Sequence, residues 1–489
     1  MNAVFVGIDL GTSSVKLILM DENGHIVRTV SKEYPISFPK PGWSEQSPED
    51  WYVQSVSGLH ELCSGYEAQV RGISFGGQMH GLVCLDAQDQ VIRPAILWND
   101  GRTGEECEYL NRIIGRDVLS AETGNIAFAG FTAPKILWMR EHEPENYAKI
   151  AKIMLPKDYL AYRLSGVHAT DVSDASGMLL FDVKNRRWSE KMCEICSVKR
   201  EWLAQVFESY EVIGTLRPEI AWELGLSADV KVIAGAGDNA AAAIGTGTVG
   251  NGDCNISLGT SGTIFIASDR YTVDQQNALH SFAHANGKYH LMGCMLSAAS
   301  CNQWWMGEIL RDRDFAAAQA QITELGDNHV YFLPYLMGER SPHNDPLARG
   351  AFVGMSMDTG RAQMLQAVYE GVAFGIRDSF EVAKASGLGI SRTKICGGGA
   401  KSPLWRKIMA NVLGIAVDSI ESEEGPALGG AMLAAVGCGR FSSVEEAAAG
   451  IVKVTGTVEP DAETAGKYEA RYQVFRQIYP ALKQVYPLL

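Results

Sequence analysis

Two aspartates and two copies of a glycine–threonine–serine turn carry the chemistry legible in this sequence. The first turn lies in GIDLGTSSVKLIL, which begins at Gly7, and the second in NISLGTSGTIFIA, which begins at Asn255; both contain Leu-Gly-Thr-Ser, at residues 10–13 and 258–261. A glycine between two strands, followed by Thr and Ser, turns the backbone tightly and directs N–H groups and hydroxyls outward, a way to cradle phosphate oxygens. The four-letter identity alone is uninformative, because a chain this long offers on the order of 10⁵ pairs of windows, of which about one in 10⁵ matches. Asp9 ends the first apolar run between Ile8 and Leu10, where an acid needs a task. Beside nucleotide phosphates that task is magnesium, directly or through water. Asp238 follows Gly235-Ala236-Gly237 and opens a run of small residues that reads as a helix. Its plain role is N-cap; its sharper role is catalytic base toward a substrate hydroxyl, with the helix N-terminus favouring the ionised carboxylate. In a loose phosphoryl-transfer transition state the alcohol proton leaves late, so a carboxylate of pKa ~3.9 serves against an alcohol of about 16.

Elements must place these residues. AVFVGID at 3–9 reads as a buried strand, and SVKLILMDENGHIVRTVSKEYPI as two more about a hairpin turn at Asn23-Gly24. Ser47-Pro48-Glu49-Asp50 supplies an N-cap, Pro at N1 and acids in the first turn of a helix with Tyr52, Val56, Leu59 and Leu62 on one face. VRGISF at 70–75 and GLVCLD at 81–86 follow as strands. The second half repeats the order: CNISLGTSGTIFIAS at 254–268 is strand, turn, strand, and YHLMGCML at 289–296 is a third. A helix starts near Ser297, and a stronger one covers 361–386 with Met364, Val368, Gly371, Val372 and Gly375 on one face. TKICGGGA at 393–400 is a strand entering a glycine-rich turn, with a helix from about Pro403; VKVIAGAGDNAAAAIG at 231–246 reads as its counterpart in the first half. Equal element order in two halves, each opening on a Gly-Thr-Ser hairpin, predicts a duplicated α/β chain whose two loops face each other across a cleft.

The whole-chain figures agree. At 489 residues the chain exceeds one ordinary core, so two or three domains are expected. A formal charge of −14 argues against nucleic acid or an anionic membrane as partner, although a local loop can still bind phosphate. The apolar run after Met1 shows no signal-peptide pattern, and GPALGGAMLAAVGCG at 425–439 is too short and glycine-rich to span a bilayer. Ten scattered cysteines suit reduced thiols in the cytoplasm, and the lone Cys193-x-x-Cys196 reads as structural.

With these motifs the chain resembles the FGGY family of carbohydrate kinases, along essentially its whole length. GFTAPKILWMREH at 130–142 is similar to the family's first signature, and GAFVGMSMDTGRAQMLQAVYE at 350–370 to its second. GGQMHG at 76–81, AILWNDGR at 95–102, LPKDYL at 155–160 and GAGDNAA at 235–241 look most like the family's xylulose-phosphorylating branch. The resemblance implies an actin-like fold of two ribonuclease-H-like α/β domains around a central cleft. Residues 1–248 would form the sugar-binding and catalytic domain, and 249–489 the nucleotide-binding domain. It implies ATP and Mg2+, with Asp238 taking the proton from the terminal 5-hydroxyl of D-xylulose. It further implies sugar contacts from Met79 and His80, with Gln78, Asn99 and Asp100 near them. Asp9, Thr12, Ser13 and Lys16 would face the transferring phosphate and magnesium, Gly259 and Thr260 the inner phosphates, and Gly398, Gly399 and Ala400 the adenosine end. Glycerol-phosphorylating members carry Arg-Glu where this chain has Met79-His80, which disfavours glycerol. An uncharged pair suits an open-chain ketose. Trp98 reads as packing that shields a charged loop. Ribulose, another ketose or a sugar acid is the alternative acceptor. Outside the enzyme class the rival is a non-catalytic actin-like nucleotide switch, which would need no sugar site. The expected partners are small molecules, and a homodimer is compatible with the family.

Overall fold

A computed structural model describes residues 3–422 and 424–489. The apolar run after Met1 forms β1 (Val4–Leu10), buried along nearly its whole length, as a strand covered on both faces must be. It pairs antiparallel with β2 (Ser14–Asp21), and β2 with β3 (Ile26–Glu33) across the turn at Asn23-Gly24. On its other side β1 pairs parallel with β4 (Val70–Gly77). Beyond β4 lie β5 (Val212–Thr215) and β6 (Lys231–Ile233), in the sheet order β3-β2-β1-β4-β6-β5.

The second half builds the same sheet again. Its strands are β7 (Cys254–Leu258), β8 (Gly262–Ser268), β9 (His280–Ala283), β10 (Tyr289–Met295), β11 (Arg392–Cys396), β12 (Ala416–Ile420) and β13 (Val454–Val458), in the order β9-β10-β8-β7-β11-β12-β13. The antiparallel β7–β8 and parallel β7–β11 and β11–β12 pairings reproduce those of β1–β2, β1–β4 and β4–β6. Both Gly-Thr-Ser turns therefore join the central strand to its antiparallel neighbour: Leu10 opposes Val15, and Leu258 opposes Gly262.

The topology corrects one expected equivalence. The strand at 392–396 corresponds to 70–77, and the strand at 231–233 corresponds to 416–420. Strand, glycine turn and helix recur twice in each half, so element order could not choose between the two matches; hydrogen bonding to the central strand does. GLVCLD does contain a strand, Val83–Leu85, which lies outside the main sheet and pairs with Lys152–Met154.

Eight helices carry the argument that follows. Helix α1 (Pro48–Cys63) starts at N-cap Ser47 with Pro48 at N1, and buries Trp51, Val56, Leu59 and Leu62, while Tyr52 sits at the margin of that face. Helices α2 (Thr132–His142) and α3 (Pro156–Ser165) belong to the long insertion between β4 and β5. That insertion builds its own core around Phe131, Trp138, Met178 and Trp188, which also receives Phe282 and Met292 from the second lobe. Helix α4 (Asp238–Gly245) follows β6; α5 (Arg361–Ala385) and α6 (Pro403–Leu413) cover the second sheet; α7 (Gly425–Gly437) follows β12 and precedes α8 (Val444–Ile451).

Although α7 and α8 come late in the chain, they lie in one core with Phe5, Ile18, Met20 and Ile233 of the first sheet and with Ala240, Ala241 and Ile244 of α4. The topologically equivalent helices α4 and α7 thus cross at the centre of the molecule. The crossing is too close for side chains, since a Cβ on Gly429 would lie 1.9 Å from the Ala241 carbonyl oxygen. Among the described residues no helix is long and apolar enough to cross a membrane.

Candidate active site

Between the two sheets lies a cavity of about 420 Å3. Met79, His80, Trp98, Phe131 and Asp238 reach it from the first lobe, and Gly259, Ser261, Cys294, Arg340 and Gly397 from the second.

His80 sits just past the end of β4 in the left-handed backbone region, at φ 69°. A non-glycine residue there carries about 1–3 kcal/mol of strain that its surroundings must offset. The first signature does so: the His80 carbonyl accepts hydrogen bonds from Lys135 Nζ (2.8 Å) and Thr132 Oγ1 (3.1 Å), and Lys135 also donates to the Gly130 carbonyl at 2.7 Å. The imidazole stacks on Phe131 at 4.6 Å, and its Nδ1 lies 2.8 Å from the Gly177 carbonyl. Burial, then the Lys135 cation, pushes the ring down to about 3, so it is neutral at physiological pH. A neutral ring whose Nδ1–H donates to a carbonyl leaves Nε2 as an acceptor for a substrate hydroxyl. Gly177 is obligatory for this placement, because a Cβ there would lie 2.4 Å from the imidazole.

Asp238 is the first residue of α4, and the N-cap position belongs to Gly237, which corrects the expected capping role. The carboxylate Oδ1 accepts from the Asn239 backbone N–H at 2.7 Å and from its side-chain amide at 2.9 Å. Both of these bonds fall on Oδ1, so Oδ2 has no hydrogen-bond partner among the described residues. Burial raises the carboxyl to about 6 against these hydrogen bonds. A base matched to neutral pH has this character. Behind it, the Gly237 N–H donates to Ser173 Oγ at 3.1 Å, and Ser173 Oγ donates to Asp171 at 2.5 Å. Asp171 in turn meets Lys157 Nζ at 2.9 Å, in a fully buried cluster with Asp158 (2.6 Å) and Asp174 (3.5 Å). Lys157 and Asp158 come from the LPKDYL motif. Burial works against the Lys157 charge, but the three carboxylates prevail and hold it protonated.

Asp9 opposes Lys16 across β1 and β2, and Lys16 Nζ pairs with Glu424 at 2.9 Å. Burial first, then the Asp238 charge, raises Asp9 to about 7. The turn after Asp9 is held from behind: the Gly11 carbonyl accepts from Tyr34 Oη (2.5 Å) and Gln78 Nε2 (3.2 Å), and the Thr12 carbonyl from Gln46 Nε2 (2.6 Å). The second turn is fixed through its carbonyls, Gly259 to the Ala299 N–H and Thr260 to the Ala298 N–H, each at 2.9 Å. Thr260 itself is exposed, and so is Ser13. Gly397, at φ 86°, carries the cavity wall into the turn Gly398–Lys401, where Gly399 packs on Trp405. The N-terminus of α7 also opens here, with Gly425 and Pro426 in the wall. A helix start favours anionic oxygens.

Gln78, Asn99 and Asp100, expected near the sugar contacts, do not line the cavity themselves. Gln78 is 2% exposed, and its amide braces the Gly11 turn and Gln46. Asp100 is equally buried, and both its oxygens hold Arg102, with Oδ2 also accepting from the Ser44 N–H. Asn99 is exposed beside them. Their neighbour Trp98 is the one that faces the cavity: it is 41% exposed, and its indole N–H donates to Thr12 Oγ1 at 3.0 Å. That corrects the reading of Trp98 as packing alone. Trp98 stands where the apolar Ala95-Ile96-Leu97 run gives way to Asn99-Asp100-Gly101, which signals a turn, and the side of the turn that faces the ligand depends on the fold. Arg340 and the start of α7 went unread because the first lies in a long irregular segment and the second in a stretch judged only for membrane length. Cys193 and Cys196 are buried and unpaired, as expected of structural thiols.

A divalent cation fits this site. Asp9 and Asp238 are two mutually repelling carboxylates with raised proton affinity, and Asp9 makes no side-chain hydrogen bond to the described residues. Nucleotide-bound Mg2+ takes one or two carboxylates plus phosphate oxygens and water, so it needs no larger protein cage.

Known proteins agree along the whole chain. The family model for the N-terminal domain of FGGY carbohydrate kinases matches residues 4–245, and the model for the C-terminal domain matches 254–438. A xylulose kinase of Escherichia coli (strain K12) is 40% identical over 99% of this chain and 100% of its own length. A crystal structure of a xyloylose kinase from Brucella ovis superposes with a TM-score of 0.94 at 38% identity, covering 99% of this chain and 100% of that one. A gluconate kinase from Lactobacillus acidophilus superposes with a TM-score of 0.95 at 26% identity, covering 100% and 99%. The fold is that of the actin-like ATPases, and the chain belongs to the FGGY family of carbohydrate kinases.

Proposed function

We propose that this ATP-dependent sugar kinase phosphorylates D-xylulose on its terminal 5-hydroxyl. The observation that carries the mechanism is Asp238, with one free carboxylate oxygen and a proton affinity raised to about 6, on a cavity wall shared with the Met79-His80 turn and the second Gly-Thr-Ser turn. The relatives named as xylulose kinases support the choice of sugar. Asp238 Oδ2 accepts the hydrogen bond of the 5-hydroxyl, orients it for in-line attack and takes its proton as the O–P bond forms. His80 Nε2 accepts a second hydroxyl, and the apolar faces of Met79, Trp98 and Phe131 exclude water around the carbon chain. Gly259 and the N-terminus of α7 hold phosphate oxygens behind the transferring group, and the turn from Gly397 through Ala400 leads toward the adenosine. Asp9, together with nucleotide oxygens, would hold Mg2+, which would supply charge neutralisation at the phosphates. Ten unpaired cysteines fit a reducing compartment, and we assign the enzyme to the cytoplasm.

Wild-type ADP release with xylulose, ribulose, gluconate and glycerol side by side tests the acceptor. A large increase with xylulose is expected, and a flat response across the panel defeats the assignment. Asp238→Ala is expected to lower turnover by at least ~10²-fold while ATP still binds, general base catalysis being worth about 10²–10⁴. Near-normal turnover of that variant would refute the role of the base.

A further inference from the structure

Arg340 is a cation on the cavity wall that the mechanism leaves without a task. It belongs to the second lobe and lines the cavity with His80, Phe131 and Asp238 of the first. Among the described residues its guanidinium has no ion-pair partner; it lies over the ring of Phe128, 5.4 Å from the centroid. The carboxyl next to it in sequence, Glu339, accepts from the Leu296 N–H (3.0 Å) and the Arg340 N–H (2.7 Å), and burial raises it to about 8, so it is a weak counter-ion.

The backbone carrying Arg340 is fixed. Glu339 and Asp345 exchange N–H···O=C bonds of 2.9 and 2.8 Å. Ser341 donates its N–H to the Cys294 carbonyl at 2.9 Å and accepts the Cys294 N–H at 3.1 Å, which ties the loop to β10. The Phe128 ring under Arg340 meets Phe131 at 5.5 Å, and Phe131 stacks on His80 at 4.6 Å. Arg340 therefore stands at the His80 end of the cavity. An acceptor whose reacting hydroxyl lies on Asp238 turns its other end that way.

We propose that Arg340 is a specificity-determining residue, donating hydrogen bonds to the carbonyl at the non-reacting end of an open-chain ketose. A guanidinium has N–H donors in a fixed fork and no acceptor. It therefore satisfies a carbonyl oxygen, which only accepts, better than a hydroxyl whose own proton must be turned elsewhere. Supplying it from the lobe opposite His80 makes the acceptor bridge both halves. This inference rests on the kinase reading above.

Dissociation constants measured by calorimetry for D-xylulose and for xylitol, the same carbon chain with its carbonyl reduced, test it in wild type, Arg340→Gln and Arg340→Lys. Loss of a charge-assisted hydrogen bond predicts about 10- to 100-fold weaker xylulose binding in Arg340→Gln. Xylitol binding should change less than about threefold, and Arg340→Lys should recover part of the preference. Equal weakening of both ligands, or no change in their ratio, overturns the proposal. If the glutamine variant fails to fold, the ratio in Arg340→Lys decides by the same criterion. Wild-type protein that fails to phosphorylate xylulose would instead defeat the functional reading itself, independently of Arg340.

Discussion

Asp9 and Asp238 sit in a folded environment that favours their neutral forms, although the chemistry assigned to them needs both ionised. Burial is the larger cause for each, and the charge of Asp238 adds to it at Asp9. The sign for stability follows. A carboxyl raised from 3.8 to about 7 binds more protons in the native than in the unfolded protein between those values, so its stability contribution declines as pH rises through that window. Asp9→Asn should therefore stabilise the metal-free enzyme at pH 8, by at most about 4 kcal/mol given ~1.4 kcal/mol per unit, while removing turnover. Thermal unfolding at pH 5 and pH 8 checks this, since the gain should shrink toward pH 5; an unchanged or lowered midpoint at pH 8 would contradict the assignment. Activity has the opposite dependence, because the base must be deprotonated. kcat/KM for the sugar should rise with pH to a plateau above about 6 to 7, with an acidic limb falling about tenfold per unit where Asp238 titrates alone.

At the scale of elements, sequence patterning and structure agree best where one periodicity acts alone. Strand β1 forms as an unbroken apolar run covered on both faces, and helices α1 and α5 form where their 3.6-residue apolar patterns place them. Patterning is silent on pairing partners, so it matches the strand at 231–233 to 392–396 as readily as to its true counterpart at 416–420. It is equally silent on the clasp behind the site. Lys157 and Asp158 are adjacent in sequence, but Asp171, Ser173, Asp174 and Ser209 come from beyond α3 and meet them only in the folded insertion. The cluster is buried in full, so Lys157→Met would leave three carboxylates without their cation. Breaking a buried pair of this kind costs about 3–5 kcal/mol. A fall of that size in chemical denaturation is expected, with kcat lowered because Asp171 and Ser173 no longer hold the Gly237 N–H beside the base. Wild-type stability in the variant would mean that the cluster does not anchor the loop.

At the scale of the molecule, the duplicated sheets explain both copies of Leu-Gly-Thr-Ser and their divergence. The glycine turn after β4 leads to the sugar-facing Met79 and His80, and its twin after β11 is the Gly397–Ala400 turn. Likewise Asp238 opens α4, where Gly425 opens α7. One fold repeated thus presents a polar acceptor site on one side and backbone N–H groups on the other. The division at residue 248 follows the sequence repeat, but the packing does not stop there. Helices α7 and α8 lie in one core with Phe5, Ile18 and Met20 of the first sheet, and Gly7 lies so near α7 that a Cβ on it would be 2.0 Å from the Ala427 carbonyl oxygen. No local signal in the sequence marks that a glycine-rich helix near residue 430 closes over a sheet begun at residue 4. A fragment of residues 1–248 would therefore expose the apolar face that α7 and α8 cover, and should unfold without a sharp thermal transition and bind a hydrophobic dye. Joining residues 424–452 to it through a flexible linker should restore a cooperative transition. If 1–248 alone unfolds cooperatively, the first lobe is a self-sufficient domain and α7 is only a bridge between lobes.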